Sequence, residues 1–109
     1  MFQISHAGRK GSSYVPWVKQ NTSLVKTDGA WQTVSASSIA RDLGWPKPKK
    51  LSLLEIQQII YDFENSTNAA KNIGFDALEV HMAHGYLLHQ FFSPISNKRE
   101  DEYGGSLKN

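Results

Sequence analysis

Apolar residues recur at steps of three and four over residues 52–73: Ile56, Ile59, Ile60, Phe63, Ala70 and Ile73, with Thr67 in the same series. That spacing lays one stripe along an α-helix. Ser52 and Glu55 supply a Ser-x-x-Glu capping box at its start, and Gly74 stands where a C-terminal cap belongs. On either side the period changes. Residues 1–5 are short, apolar and alternating, and predict a strand that runs into a loop at Gly8 and Gly11. Residues 75–81 predict a second strand, with Leu78 and Val80 facing one way and Ala77, Glu79 and His81 the other. Strand, long loop, helix, strand is the order of a parallel pair with a right-handed crossover. Residues 85–93 predict a short helical turn. Pro94 opens an irregular segment that Gly104-Gly105 closes.

Residues 7–51 show no sustained period and are punctuated by Gly8, Gly11, Pro16, Gly29, Gly44, Pro46 and Pro48. Trp17, Trp31 and Trp45 argue against disorder, which is poor in aromatics. The expectation is an ordered excursion with a short hairpin near Asp28-Gly29.

The chain has 109 residues and a net charge of +2, which gives no argument for nucleic acid. Lys47, Lys49 and Lys50 read as a solvated loop. The absence of cysteine excludes disulfides and thiolate chemistry, and no apolar run approaches a membrane span. Residues 1–6 lack the regions of a signal peptide, so the expected location is the cytoplasm. A chain that starts directly in a strand, and ends at Ser106-Leu107-Lys108-Asn109 as if opening another helix, reads as cut at both ends. Two parallel strands and one helix also cannot cover both faces of a sheet. The expectation is a piece of a larger α/β protein.

His81 ends its predicted strand, and working residues in parallel α/β folds sit at carboxyl strand ends. His84 follows three residues later, so both rings can reach one cavity. Neutral imidazoles can donate to a carbonyl or phenolate oxygen and stabilise charge developing there. The Tyr86 hydroxyl can supply a proton. From the residues alone, ordinary packing of all three is an equal reading. His81, His84 and His89 also make His-x2-His-x4-His, but zinc sites recruit cysteine or carboxylate at other spacings, so a metal-binding module is a distant alternative and no metal is expected. Gln3, near the end of the first strand, carries one amide donor and one acceptor that suit a heteroaromatic edge. Arg9 is a candidate anion partner.

Together these residues resemble the old yellow enzyme family of FMN-dependent NADPH dehydrogenases and ene-reductases. Gln-Ile-Ser-His-Ala-Gly-Arg-Lys (3–10) resembles its third barrel strand and loop. Residues 74–91 resemble the fourth strand and catalytic loop, and Ser-Pro-Ile-Ser-Asn-Lys-Arg-Glu-Asp-Glu-Tyr-Gly-Gly-Ser (93–106) its most recognisable stretch. The resemblance implies a (β/α)8 TIM-barrel fragment, residues 1–109 being a partial domain incomplete at both ends. It implies FMN as cofactor and NAD(P)H as reductant, with hydride passing from reduced FMN to an activated alkene. In this reading Gln3 binds the flavin edge, His81 and His84 bind the substrate oxygen, and Tyr86 donates the proton. His6 and Arg9 match positions near the flavin. The partner is a small-molecule substrate, and an oligomer stays open for a full-length protein. A catalytically silent fragment of such an enzyme is the alternative. Departures are Ala36-Ser37-Ser38-Ile39, where the family usually has Pro-Ser-Ala-Ile, and Lys108 in place of a glutamate.

Overall fold

The computed structural model describes residues 1–106. Its regular elements are β1 (Phe2–Ile4), β2 (Val34–Ser35), β3 (Lys49–Lys50), α1 (Leu53–Asn72), β4 (Leu78–Val80) and α2 (Leu87–Phe92). Two 3-10 turns, Gly8–Lys10 and Lys26–Asp28, lie in the excursion.

β1 and β4 pair in parallel with Phe2 opposite Leu78, Gln3 opposite Glu79 and Ile4 opposite Val80. The ladder runs on at both ends, through Phe2 N–H to the Ala77 carbonyl and His81 N–H to the Ile4 carbonyl, each 2.9 Å. β4 is shorter than the predicted 75–81. Phe75 still donates to the Ala70 carbonyl at 3.1 Å, so the start of that stretch belongs to the close of α1.

α1 follows its sequence signals. Ser52 Oγ accepts from Glu55 N–H at 3.2 Å, and Glu55 Oε2 accepts from Ser52 N–H at 2.9 Å. Lys49 reaches the same carboxylate at 2.5 Å and ties β3 to the helix start. Gly74 leaves the helix at φ +91°, a left-handed value that favours glycine. The stripe is buried only in part. Ile56 and Ala70 are buried, whereas Ile73 is 75% exposed because it caps the helix instead of facing the sheet. Leu51, Ile56 and Leu87 form the core, with Val34, Ile59, Phe91 and Tyr103 packed against them.

The excursion is ordered, but not in the expected way. β2 and β3 form a second parallel pair, Val34 with Lys49 and Ser35 with Lys50. The hairpin expected near Asp28-Gly29 is absent. Asp28 N–H donates to the Val25 carbonyl at 2.9 Å and Gly29 closes a 3-10 turn at φ +85°. The flanks touch at the turn, where Ala30 N–H donates to the Val25 carbonyl at 3.3 Å, but then part: Ser23 bridges to Ser13, and the Thr33 carbonyl accepts from Lys49. Trp17 and Trp31 lie on the surface, and Trp45 carries Arg41 over its ring at 4.5 Å. Polar bonds, such as Trp31 N–H to Ser12 Oγ at 3.1 Å, help to order the excursion.

The molecule measures 41 × 36 × 22 Å and has a radius of gyration of 15.1 Å. A compact domain of this length would have about 13 Å, so the chain is a flattened slab. Ile60 and Val80, on the facing sides of α1 and β4, line an open groove with Ile4, Phe63 and Leu88. Among the described residues no helix is long and apolar enough to cross a membrane. The helix-like start expected at 106–109 falls, past Ser106, outside the described residues.

Candidate active site

The His81 amide, bonded to Ile4, fixes this histidine at the carboxyl end of β4. Its Nδ1 accepts from Ala83 N–H at 3.3 Å, which leaves the ring proton on Nε2. That Nε2 lies 3.3 Å from His84 Nδ1. The direction of this bond follows from the first: His81 donates, His84 accepts, and the His84 Nε2–H remains for a ligand. The Tyr86 ring lies 4.9 Å from that of His81. The three predicted groups therefore meet in one place.

The loop that brings them together is tight. His84 and Gly85 take left-handed backbone at φ +55° and φ +67°, and Tyr86 N–H turns back to the Ala83 carbonyl at 3.1 Å. A left-handed histidine costs roughly 1 kcal/mol and persists where its surroundings hold it. Here Lys10 Nζ binds the His84 carbonyl at 2.5 Å. Burial, then the charges of Arg41 and Arg9, hold the Lys10 ammonium below its ordinary pKa.

Gln3 lies across the sheet from Glu79, on the face that leads to His81, and its amide N–H donates to the Glu79 carboxylate. The amide retains its oxygen and second N–H for a ligand, a donor set that fits the pyrimidine edge of a flavin. His6 and Arg9 do structural work. His6 Nδ1 accepts from Gly8 N–H at 2.9 Å, and burial keeps its pKa below the usual histidine value. Arg9 is held by Nη1, which binds the carbonyls of Ile39 and Ala40, both at 3.1 Å, while its buried Nε has no partner among the described residues. His89 turns away from the pair and accepts from Gly85 N–H at 2.8 Å. Among the described residues no three His, Cys, Asp or Glu side chains gather as a metal site.

Two residues with no predicted role organise the surroundings. Gln90 is 1% exposed and Arg99 4%. Arg99 Nη1 binds the carbonyls of Ala36 at 2.9 Å and Leu51 at 2.7 Å, and its other edge grips Asp101 at 2.6 and 2.8 Å. The Asp101 carboxyl is held below its usual range, chiefly by that guanidinium. Gly104 fits beneath because it has no Cβ; one would sit 2.0 Å from the Arg99 carbonyl oxygen. A polar residue inside an apolar run, as in Leu-Leu-His-Gln-Phe-Phe, is the signal that would have found Gln90.

An amide at one strand end and paired imidazoles with a phenol at its neighbour offer hydrogen-bonding groups suited to an aromatic edge and to an oxygen-bearing ligand. The family description for the NADH:flavin oxidoreductase / NADH oxidase family matches residues 1–109, and the chain belongs to that family. Family members work with FMN and NAD(P)H. The chain is 47% identical over 110 residues to an NADH:flavin oxidoreductase of Gibberella zeae, covering 98% of this chain and 27% of that protein. It is 41% identical over 107 residues to the NADPH dehydrogenase of Listeria welshimeri, with the same coverages. The solved structure of morphinone reductase superposes with a TM-score of 0.76 at 27% identity, over 98% of this chain and 30% of that one. The fold is thus that of part of a TIM barrel. The chain spans 27% of the length of these curated relatives.

Proposed function

We propose that this chain carries the substrate-oxygen-binding and proton-donating part of an FMN-dependent oxidoreductase that uses NAD(P)H to reduce activated alkenes. Residues 1–109 correspond in this reading to the third and fourth strands of the barrel with their connection. The convergence of His81, His84 and Tyr86 at the carboxyl end of β4 is the observation that carries it. Gln3 holds the flavin edge. FMN, when bound, supplies the hydride that NAD(P)H has delivered. The substrate's carbonyl or nitro oxygen displaces His84 Nδ1 as the acceptor of the His81 Nε2–H and accepts also from the His84 Nε2–H, and the two donors stabilise the charge that develops as hydride reaches the β-carbon. The Tyr86 hydroxyl gives its proton to the α-carbon, and solvent returns one to the phenolate. One alkene is reduced and one NAD(P)H oxidised. The partner is a small molecule, and the setting is the cytoplasm.

The half-exposed apolar groove between α1 and β4 favours a second reading, in which the 109-residue polypeptide alone retains no flavin and is catalytically silent. Purification after expression separates the two. Flavin absorbance co-eluting one to one, with alkene-dependent NAD(P)H oxidation that falls in Tyr86→Phe, supports the enzyme. Colourless protein supports the silent polypeptide. Flavoprotein whose alkene turnover ignores Tyr86→Phe removes the assigned proton donor.

A further inference from the structure

Two loops must stay in register for this site to work. One leaves β1, the strand of Gln3, and carries His6; the other leaves β4 and carries His81, His84 and Tyr86. We infer that Gln90, on α2 and outside the site, is the positioning residue that latches these loops together. The inference rests on the function proposed above only for its catalytic consequence.

The Gln90 carboxamide lies in a slot between the loops. Its Nε2 donates to the Gly85 carbonyl at 2.7 Å and the Ala7 carbonyl at 3.4 Å, and its Oε1 accepts from Arg9 N–H at 3.4 Å. Its backbone is fixed too, since the Gln90 carbonyl accepts from Ser96 Oγ at 3.0 Å. A separate bond, Leu87 N–H to the His6 carbonyl at 2.8 Å, sews the same two segments one helical turn away. Gly8 makes the slot. A Cβ there would fall 2.5 Å from Gln90 Oε1 and 2.6 Å from Nε2, and Gly8 sits at φ +58°. Glycine therefore serves twice, by leaving space for the carboxamide and by turning the chain so that the Ala7 carbonyl and Arg9 amide both face it. A buried amide pays for its desolvation only when it is bonded, and this one is bonded to both loops.

The fit separates Gln90 from a packing residue. Leucine would fill nearly the same volume but leave the Gly85 and Ala7 carbonyls without their donor. Glutamate would keep the acceptor for Arg9 N–H while pressing a carboxylate on two carbonyl oxygens. Gly8→Ala would break the latch from the opposite side, with Gln90 intact.

Amide hydrogen exchange of wild type, Gln90→Leu and Gly8→Ala tests the latch whether or not flavin is present. Arg9 and Leu87 amides should exchange about tenfold faster in both variants, the scale of one lost buried hydrogen bond, while mid-α1 amides such as Ile59 keep their rate. Unchanged exchange at Arg9 and Leu87 overturns the latch. Acceleration spread evenly through α1 also overturns it, because Gln90 would then be holding the whole core. In flavin-loaded protein, Gln90→Leu should lower kcat/KM for alkene about tenfold, and Gln90→Leu with Tyr86→Phe should be little worse than Tyr86→Phe alone. Fully additive losses overturn the claim that Gln90 acts through the loop. Failure to load flavin bears on the proposed function and leaves the exchange result standing.

Discussion

Lys10 Nζ sits 2.5 Å from the carbonyl oxygen of His84, the non-glycine residue of the histidine loop with a positive φ. The ammonium also lies 5.9 Å from the centre of the Tyr86 ring. One cation from the β1 loop thereby braces the backbone of one site residue and flanks the ring of another. Lys10→Met keeps most of the stem and removes the donor. In flavin-loaded protein, affinity for a phenol-class ligand should fall roughly three- to tenfold, about 1 kcal/mol for one solvent-exposed hydrogen bond. Equilibrium titration of the bound phenol checks this, and unchanged affinity would show that the bond does not hold the loop.

In the proposed function His84 meets two demands at once, a left-handed backbone and a ring N–H for the ligand. Asparagine tolerates that backbone better than most residues and offers an amide donor. His84→Asn should therefore retain oxygen-ligand binding within a few fold, whereas His84→Ala should lose roughly tenfold or more. His81→Ala should lose at least as much, because it also takes the Ala83 amide's partner away. The same ligand titration ranks the three variants, and equal binding by all of them would move the ligand elsewhere.

Arg99 holds together segments far apart in sequence, from Ala36 and Leu51 to Asp101. Arg99→Met would leave two buried carbonyls unpaired and Asp101 without its cation. The expected cost is about 3 kcal/mol, read as a lower urea midpoint at neutral pH. Gly104→Ala should unfold the same region by the other route, since its methyl would meet the Arg99 backbone. A midpoint shift near zero for either would mean the segment after α2 is not anchored as described.

Glu55 gives the pH dependence its sign. Lys49 first, and then the Ser52 backbone and hydroxyl, lower its carboxyl from 4.5 to about 2. Folding lowers this pKa, so the contribution is complete above the unfolded value of 4.5 and disappears as pH falls toward 2. Wild type should exceed Glu55→Gln in urea midpoint at pH 6, and the two should converge as pH drops through that window. A constant gap between pH 6 and pH 2.5 would place the effect of Glu55 outside its charge.

Much of this was legible in the sequence because some signals are local. Ser52, Glu55 and Gly74 announce α1 without reference to anything distant, and the alternation around Gln3 and Val80 places both strands. His81, His84 and Tyr86 are close in sequence, so their convergence needed only one turn. β2 and β3 were not legible. Each has two residues, too few for a period, and their pairing depends on Thr33 and Lys49 meeting across the excursion. The Asp28-Gly29 signal did mark a turn, but turn chemistry does not say whether the flanks will pair. Lys10, Gln90 and Arg99 were missed for another reason. Each acts on main-chain carbonyls, which every sequence contains and no motif records.

The register of β1 against β4 has a consequence in time. Gln3 and Glu79 are 76 residues apart, so joining them closes a loop that costs about 4 kcal/mol of chain entropy from the length dependence alone. α1 pays no such toll, since its capping box and turns are local. The helix is therefore expected to form early, and the strand contact that aligns the two halves of the site late. Assembly of the site should therefore wait on contacts of long sequence separation, and conditions that speed helix formation alone should not hasten it.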